Sequence, residues 1–479
     1  MRFTGFIGPS YQHQSLNVDA QTCVNLYPEI NPLGAGKERE IASLVPTPGL
    51  ELLLSLGQPA IRGQWTASNG TLFVVAGSKL YSISSEWVET ELGELSTGSG
   101  FVSMADNGTH LVIVDGSYGY IWNMATSVFA RITDVDFFPA NLVTFLDGYF
   151  IFNRAGTQQF FYSGINDETF DGLDIATIEG SPDVLVGQIA SNQKVYMFGT
   201  RSLEIYYNSG DADNPFQRVQ GAVFEVGCAS APFTIAKLLD NVYWLGGDDN
   251  GHGVVYKMLG FRYEKITTPA IEKVIRDIGP ALLAAARAWT YQQGGHWFYC
   301  LNLPGVDRTW VYDATTGFWH ERTHKGITGP ERHRAGCHAV FNGKNIVGDY
   351  ENGSLYSLDP AVYTDNGTVI IRERAAPHLS KNLKRMFHHG FQLDMEVGVG
   401  SDGGAAGNDP KVILQWSDDG GHNWSDEHWE DIGKIGKTKT RIIWRRLGSS
   451  RDRVYRVRIS DPVKVQLIGA ELEVSEGAA

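Results

Sequence analysis

At 479 residues the chain is long enough to bury a large core, and its formal net charge of −14 argues against a protein that wraps nucleic acid. Four cysteines, Cys23, Cys228, Cys300 and Cys337, lie far apart without a Cys-x-x-Cys pair, which reads as scattered reduced core thiols, not a disulfide framework or a metal site. No uncharged apolar stretch reaches the roughly 18 residues of a membrane-spanning helix. Met1-Arg-Phe-Thr-Gly-Phe-Ile-Gly-Pro has no apolar centre long enough for a secretory signal, so a soluble protein made in a cytoplasm is expected.

Residues 1–58 read as an N-terminal arm. Gln14-Ser-Leu-Asn and Asn31-Pro-Leu-Gly-Ala-Gly-Lys are loop-like, and Pro46-Thr-Pro-Gly-Leu50 is a rigid extended turn. Only Thr22–Tyr27 has strand character there. From residue 59 a unit recurs: an apolar strand, a glycine turn and a second strand rich in aromatic and branched residues. The copies are Leu72–Ile83, His110–Asn123, Gly148–Ile165, Lys194–Gly210, Asn241–Gly260, His296–Arg322 and Lys344–Pro360, with starts 38, 38, 46, 47, 55 and 48 residues apart. That is the spacing of one four-stranded blade in a radial β-array. The fold class expected is therefore all-β, a β-propeller over residues 59–376, with seven blades, or six if the first or last repeat joins another sheet.

The first blade divides into Ile61–Thr66, Leu72–Ala76, Lys79–Ile83 and Trp87–Leu92, and the second into Phe101–Ala105, Leu111–Val114, Tyr118–Asn123 and Val128–Ile132. Leu72-Phe-Val-Val-Ala is apolar on both faces, as an inner strand between neighbouring blades requires. Phe73, Tyr81, Trp122, Trp244 and Trp310 fall on or beside inner strands and are the expected core aromatics. Thr22–Tyr27 is the segment expected to complete a blade and latch the ring. Asn69, Asn107, Asn352 and Asn366 each precede Gly-Ser or Gly-Thr, and without a secretory signal these Asn-Gly pairs read as hairpin turns with positive φ at both residues. A helical insert is expected at about 269–289. Thr268-Pro-Ala-Ile-Glu-Lys-Val-Ile-Arg begins with a cap residue and a first-turn proline and carries an apolar stripe at Ile271, Val274 and Ile275; the alanine-rich Ala281–Trp289 continues it after Gly279-Pro280.

Residues 377–479 read as a separate antiparallel β-sandwich with strands at Phe387–Val399, Lys411–Ser417, Thr440–Leu447, Arg453–Ser460 and Val463–Val474. Ser401–Asp409 is a solvated hairpin tip. The stretch Lys434–Lys464 holds eleven Lys and Arg against two Asp, so it is +9 and the rest of the chain carries −23. Lys437, Lys439, Arg441, Arg445, Arg446, Arg456 and Arg458 are candidates for an assembly or DNA-facing surface. Along Arg453-Val-Tyr-Arg-Val-Arg-Ile459 the alternation puts Arg456 and Arg458 on one face with Val454, and Tyr455, Val457 and Ile459 on the other.

Ser417-Asp-Asp-Gly-Gly-His-Asn-Trp424 resembles the Asp-box of sialidases, with Asn423 in the threonine position. Its expected role is structural: Ser417, Asp419, Gly421 and Trp424 form a tight turn in which the Asp419 carboxylate accepts backbone N–H groups above the indole. A sialidase would also need an arginine cluster and a Tyr/Glu pair, whereas Arg201 and Arg262 lie on different blades and no carboxylate pair stands out. His320, His324, His333 and His338, then His378, His388, His389, His422 and His428, read as surface or interface histidines; the spacing of His320 and His324 suits a metal only on a helix, and their segment reads as strand and turn. With no Walker loop, nucleophile elbow or dinucleotide fingerprint, no catalytic, cofactor or metal site is expected, and the sequence argues against an enzyme.

Ile61-Arg-Gly-Gln-Trp through Val75-Ala-Gly-Ser-Lys-Leu-Tyr81 resembles the first blade of the packaged-DNA stabilisation proteins, the tail hub or nozzle proteins of short-tailed bacteriophages. In the same order Ala270-Ile-Glu-Lys-Val-Ile-Arg276, Val311-Tyr-Asp-Ala, Trp444-Arg-Arg-Leu-Gly448 and Leu467-Ile-Gly-Ala-Glu-Leu resemble that family's motifs, from Ile61 to Leu472. The N-terminal arm departs most. The resemblance implies a virion tail component, made in the host bacterial cytoplasm. It also implies a homohexameric ring below the portal and adaptor, with a tail needle or plug beneath and tailspikes or fibres beside it. Double-stranded DNA would pass the ring without sequence-specific binding, and an acidic wall that does not grip DNA suits that passage. A carbohydrate-binding or glycan-cleaving propeller and a monomeric scaffold propeller are the alternatives.

Overall fold

The computed structural model describes residues 1–31, 42–248, 251–401 and 407–477. Seven four-stranded units follow one another around an axis. Blade one is Ile61–Thr66, Leu72–Ala76, Lys79–Ile83 and Glu89–Glu94; blade two is Ser103–Asp106, His110–Val114, Gly119–Asn123 and Val128–Arg131. Blades three to six begin with inner strands Val143–Leu146, Leu185–Ser191, Ala236–Leu238 and Arg287–Gln293, and blade seven with Ala335–Phe341, which lies against Ile61–Thr66 and closes the ring. Each blade runs from the axis outward, so the second strand is covered on both faces. Leu72–Ala76 and His110–Val114 are buried at every position for that reason. Four inner hairpins turn on residue pairs with positive φ, Asp147-Gly148, Asn192-Gln193, Gly294-Gly295 and Asn342-Gly343, the backbone that matches strand twist in a two-residue loop. Among the Asn-Gly pairs named above only Asn366-Gly367 adopts this form; at Asn69-Gly70 and Asn107-Gly108 the glycine alone has positive φ, and Asn352 starts a strand.

The strand that latches the ring is not Thr22–Tyr27. Gly49–Pro59 pairs antiparallel with Asn352–Asp359 and supplies the outer strand of blade seven, whose other strands come from residues 335–359. Its leucine-rich sequence does not alternate cleanly, because two bulges shift its register against blade seven. A Cβ at Gly49 would lie 2.4 Å from the Val362 carbonyl oxygen, so the strand enters where no larger residue fits. The helical insert is also shorter than expected. Helices span Pro269–Asp277 and Pro280–Leu283, and Arg287–Gln293 is the inner strand of blade six; its alternating Ala288, Trp289, Thr290 and Tyr291 follow the sheet period once Ala286 is passed. Ile271 and Ile275 pack with Tyr243, Tyr299 and Trp310 between blades five and six. Phe73, Tyr81, Trp244 and Trp310 are buried, while Trp122 is only partly so.

Beyond the propeller, one sheet of the sandwich contains Ala20–Val24, Arg372–Ala375, Asp452–Ile459, Lys411–Ser417 and His428–Asp431 in that spatial order. The other runs Leu26–Ile30, Ala42–Pro46, Leu467–Glu476, Met386–Met395 and Ile442–Arg445. Ala20–Val24, Leu26–Ile30 and Ala42–Pro46 of the arm are thus built into the sandwich, with Tyr11–Gln12 paired to the first, and Phe3, Phe6, Cys23, Leu26 and Leu44 share its core with Phe391, Trp444, Tyr455 and Val457. His428–Asp431 is a strand absent from the sequence reading, too short and polar to show periodicity. Most of the Asn31–Lys37 run and of the Ser401–Asp409 tip lies outside the described residues.

Candidate assembly surfaces

Propeller and sandwich meet through sequence that neither would need alone. Val24 pairs in parallel with Glu321 on the outer strand of blade six, Phe318–Lys325, so blade six and the first sandwich sheet form one continuous sheet. Asn25 follows at φ 54° and bridges the two bodies. Its Nδ2 donates to the Ile371 carbonyl at 2.8 Å, and its Oδ1 accepts from the Thr323 amide at 3.0 Å. Arg374, wholly buried, donates to the carbonyls of Phe6, Pro9, Thr22 and Gly5 and to Gln21, which ties the arm down. Glu321 is buried beneath, accepting from Ser10 and from Arg308 Nη1 at 2.5 Å; burial raises its pKa.

Above this seam lies a groove of about 600 Å³ lined by the arm, the outer strand of blade six, the loop at 326–330 and the outer face of Asp452–Ile459. Arg456 and Arg458 face it, but they are already engaged. Both approach Glu373, at 3.8 and 3.5 Å, and Arg458 also approaches Glu427 at 3.6 Å. The Arg456 guanidinium lies 3.8 Å over the Trp424 ring. Tyr455, Val457 and Ile459 point into the sandwich core, and Val454 packs outward with Ala20 and Ala375. The remaining basic candidates are elsewhere. Arg441 and Arg445 are exposed on the edge strand Ile442–Arg445 and its entry, in the opposite sheet, and Lys437, Lys439 and Arg446 flank that strand. The structure therefore does not bring the seven basic residues onto one face.

In the turn after Lys411–Ser417, Asp419 Oδ1 accepts the Asn423 amide at 2.9 Å, Asp419 Oδ2 accepts Asn423 Nδ2 at 2.6 Å, and Ser417 Oγ accepts the Gly421 amide at 2.8 Å. These bonds, led by the Asn423 amide, hold the Asp419 carboxyl well below the usual carboxylate range. Gly421 has φ 99°, and Trp424 is half-buried against Ala20 and Val454. The neighbouring Asp418 makes a two-pronged pair with buried Arg453, at 2.6 and 2.8 Å.

The histidines correct the surface reading. His320, His333 and His388 are buried, and burial lowers the pKa of His320 to about 3 and of His388 to about 4. Strand alternation turned them inward, where neutral imidazoles pack as aromatics: His320 lies 5.7 Å from both Tyr27 and Phe298. Among the described residues no three His, Cys, Asp or Glu are placed to share a metal ion. The cysteines are free and buried, and burial pushes the Cys23 and Cys228 thiols up to about 12. On the propeller axis, inner strands of all seven blades line a cavity of about 580 Å³. Gln64 and Gln188 tie neighbouring blades beside it through the Ile346 and Leu142 carbonyls, Phe101 packs on Phe233 with the rings tilted, and the Arg287 guanidinium lies 4.7 Å over the Phe101 ring.

A seven-bladed propeller joined through a continuous sheet to a β-sandwich, with no metal cluster among the described residues, defines a structural β-protein. The sequence matches the family model of bacteriophage P22 Gp10 in both parts, its beta-propeller over residues 7–363 and its beta-sandwich over residues 371–475. The chain belongs to that family of phage tail stabilisation proteins and is a structural component of the virion tail. The match takes in nearly all of the arm, which shows the least resemblance motif by motif. Among curated proteins none matches it in sequence. Similar solved structures include the beta-propeller domain of Myceliophteria thermophila Cps50 (Swd1), at 9% identity over 64% of this chain and 98% of that one, with a TM-score of 0.43. The WD40 propeller of Doa1 shares 10% identity over 64% and 96%, with a TM-score of 0.38. The extracellular domain of a hybrid two-component system from B. thetaiotaomicron shares 9% over 64% of this chain, which spans only 39% of that one, with a TM-score of 0.44. Among the described residues no helix is long and apolar enough to cross a membrane.

Proposed function

We propose that the chain is the tail hub or nozzle subunit of a short-tailed phage, acting as a homohexameric ring below the portal and adaptor. The ring closes on and conducts packaged double-stranded DNA, holds a needle or plug at its lower end and carries tailspikes or fibres beside it. It is made in the host bacterial cytoplasm, performs no catalysis, and contacts DNA without reading sequence. The observation that carries this reading is the narrow propeller axis. The inner strands of seven blades leave only a cavity of about 580 Å³ there, too small for a duplex, so a conduit for DNA has to run between copies and not through one. The acidic bulk of the chain supports low-friction passage, because a wall of like charge does not hold phosphates. The turn around Asp419 and Trp424 is a local brace, and Lys437, Lys439, Arg441, Arg445 and Arg446, exposed although Arg441 donates to Gln392, are the basic surface available for assembly.

Electron microscopy of the purified chain, with and without a portal–adaptor ring, tests the reading. Six-fold rings docked below the adaptor are expected. A chain that stays monomeric in both samples, or that hydrolyses members of a sialoside panel, would overturn it.

A further inference from the structure

The two poles of the molecule carry complementary exposed surfaces. The sandwich extends outward from blade six, and in its second sheet the order from Leu26–Ile30, which touches blade six, ends at Ile442–Arg445. That last strand lies four places along the sheet from the strand that touches blade six. The loop leading into it and the strand itself, residues 433–446, carry six Lys and Arg, against Glu471 and Glu473 on the surface shared with Arg441 and Arg445 and Glu430 and Asp431 on the adjoining edge strand. Ile435 is 53% exposed among them, and Trp429 on the adjoining edge strand is 50% exposed.

In a ring of seven blades, the point opposite blade six falls between blades two and three. There the connection after Val128–Arg131 meets the loop before Ile175–Thr177, close enough that a Cβ at Gly172 would come within 2.6 Å of Asp136 Oδ1. The two loops present Val135, 90% exposed, and Leu173, 86% exposed. Asp134, Asp136, Asp171 and Asp174 frame them, and no Lys or Arg occurs from residue 155 to residue 193. Bonds from the Asp136 amide to Asp134 Oδ1, at 3.0 Å, and from the Leu173 amide to Asp171 Oδ1, at 2.9 Å, fix both loops.

We infer that these surfaces are the two halves of one contact between copies, the basic tip of one sandwich seating on the acidic, aliphatic rim of blades two and three of the next chain. The inference rests on the ring reading above and names the surfaces that make the ring. Two different patches give a head-to-tail contact, which closes into a ring when each copy is rotated by the ring angle against the last and otherwise runs on as a filament. Each patch has apolar residues within a charged frame, and the frames have opposite sign, which selects partner and register.

Charge exchange tests it by sedimentation of the full chain and by microscopy on the portal–adaptor ring. One variant carries Asp134→Lys with Asp171→Lys, a second Lys437→Glu with Lys439→Glu, and a third all four. All eight wild-type and variant groups are on the surface, but the first variant also loses the loop bonds accepted by Asp134 and Asp171, so its melting temperature is compared with that of Asp134→Asn with Asp171→Asn, which keeps the Oδ1 acceptors. Each two-site reversal should weaken self-association about tenfold or more, since like charges then face each other, and the four-site chain should regain most of the loss. Two-site variants that assemble normally, or a four-site chain no better than either, would overturn the contact. So would a tip reversal that leaves rings intact but sheds packaged DNA, which would assign the tip to the duplex. Wild-type chains that never form rings remove the ring reading itself, whereas rings that persist through the reversals remove only this contact.

Discussion

Arg374 replaces its lost hydration with four carbonyls and an amide, yet burial still lowers its pKa to about 10. The buried histidines follow the same physics with a consequence for pH. Burial holds His320 at about 3 and His338 and His388 at about 4, while the unfolded chain takes up these protons near pH 6.5. Between about pH 6.5 and 4 the unfolded state therefore binds more protons, and stability falls as pH falls. His296 opposes this. Its bond to Asp313 raises its pKa, a stabilisation present below 6.5 and lost as pH rises through the folded value. Burial also holds His333 well below its ordinary value, so four groups outweigh one and urea midpoints should be lower at pH 5 than at pH 7. His320→Phe should keep stability at pH 7 and flatten that slope, since neither ring nitrogen has a hydrogen-bond partner among the described residues. An unchanged slope would show that His320 does not contribute. Trp310, buried between blades five and six with the helix, should cost about 3–5 kcal/mol when truncated to alanine, read as a lower melting temperature.

At the level of elements, ring closure depends on one strand from the far end of the chain. Leu50 is buried with Trp289, Val347 and Tyr356, where Gly49–Pro59 meets blades six and seven. Leu50→Ala should cost about 2–5 kcal/mol, and amide exchange should rise first along Asn352–Asp359, the strand it covers. Faster exchange confined to the sandwich would place the latch elsewhere. The short helices fill the gap between blades five and six, so their apolar face is part of the propeller core.

Across the whole molecule, a sheet continuous from blade six to the distal edge of the sandwich makes the two bodies one mechanical unit. A single calorimetric transition is expected. Asn25→Ala removes the side-chain bonds to Thr323 and Ile371 and should split it into two, one for each body. A variant that still melts in one step would show that the strand pairing alone couples them. That rigidity suits a tail component that must hold its neighbours while DNA passes, and it carries the basic tip and the acidic rim at fixed opposite poles.

The propeller, its blade count, the sandwich and the helix at Pro269–Asp277 were legible in the sequence because each rests on local periodicity and turn chemistry. Glycine-punctuated apolar runs at near-constant spacing admit few other folds, and the alternation in Arg453–Ile459 placed Tyr455 and Val457 in the core correctly. Long-range pairing decided the rest. Which arm strand latches the ring, how Ala20–Val24 welds blade six to the sandwich, and where Arg287–Gln293 turns from helix-rich composition into strand all depend on partners that lie hundreds of residues away or in a neighbouring blade. The separation of Arg456 and Arg458 from Arg441 and Arg445 has the same cause: residues close in sequence went to opposite sheets, and only their spatial neighbours, Glu373 and Glu427 in one case and Gln392, Glu471 and Glu473 in the other, fix what each charge can do.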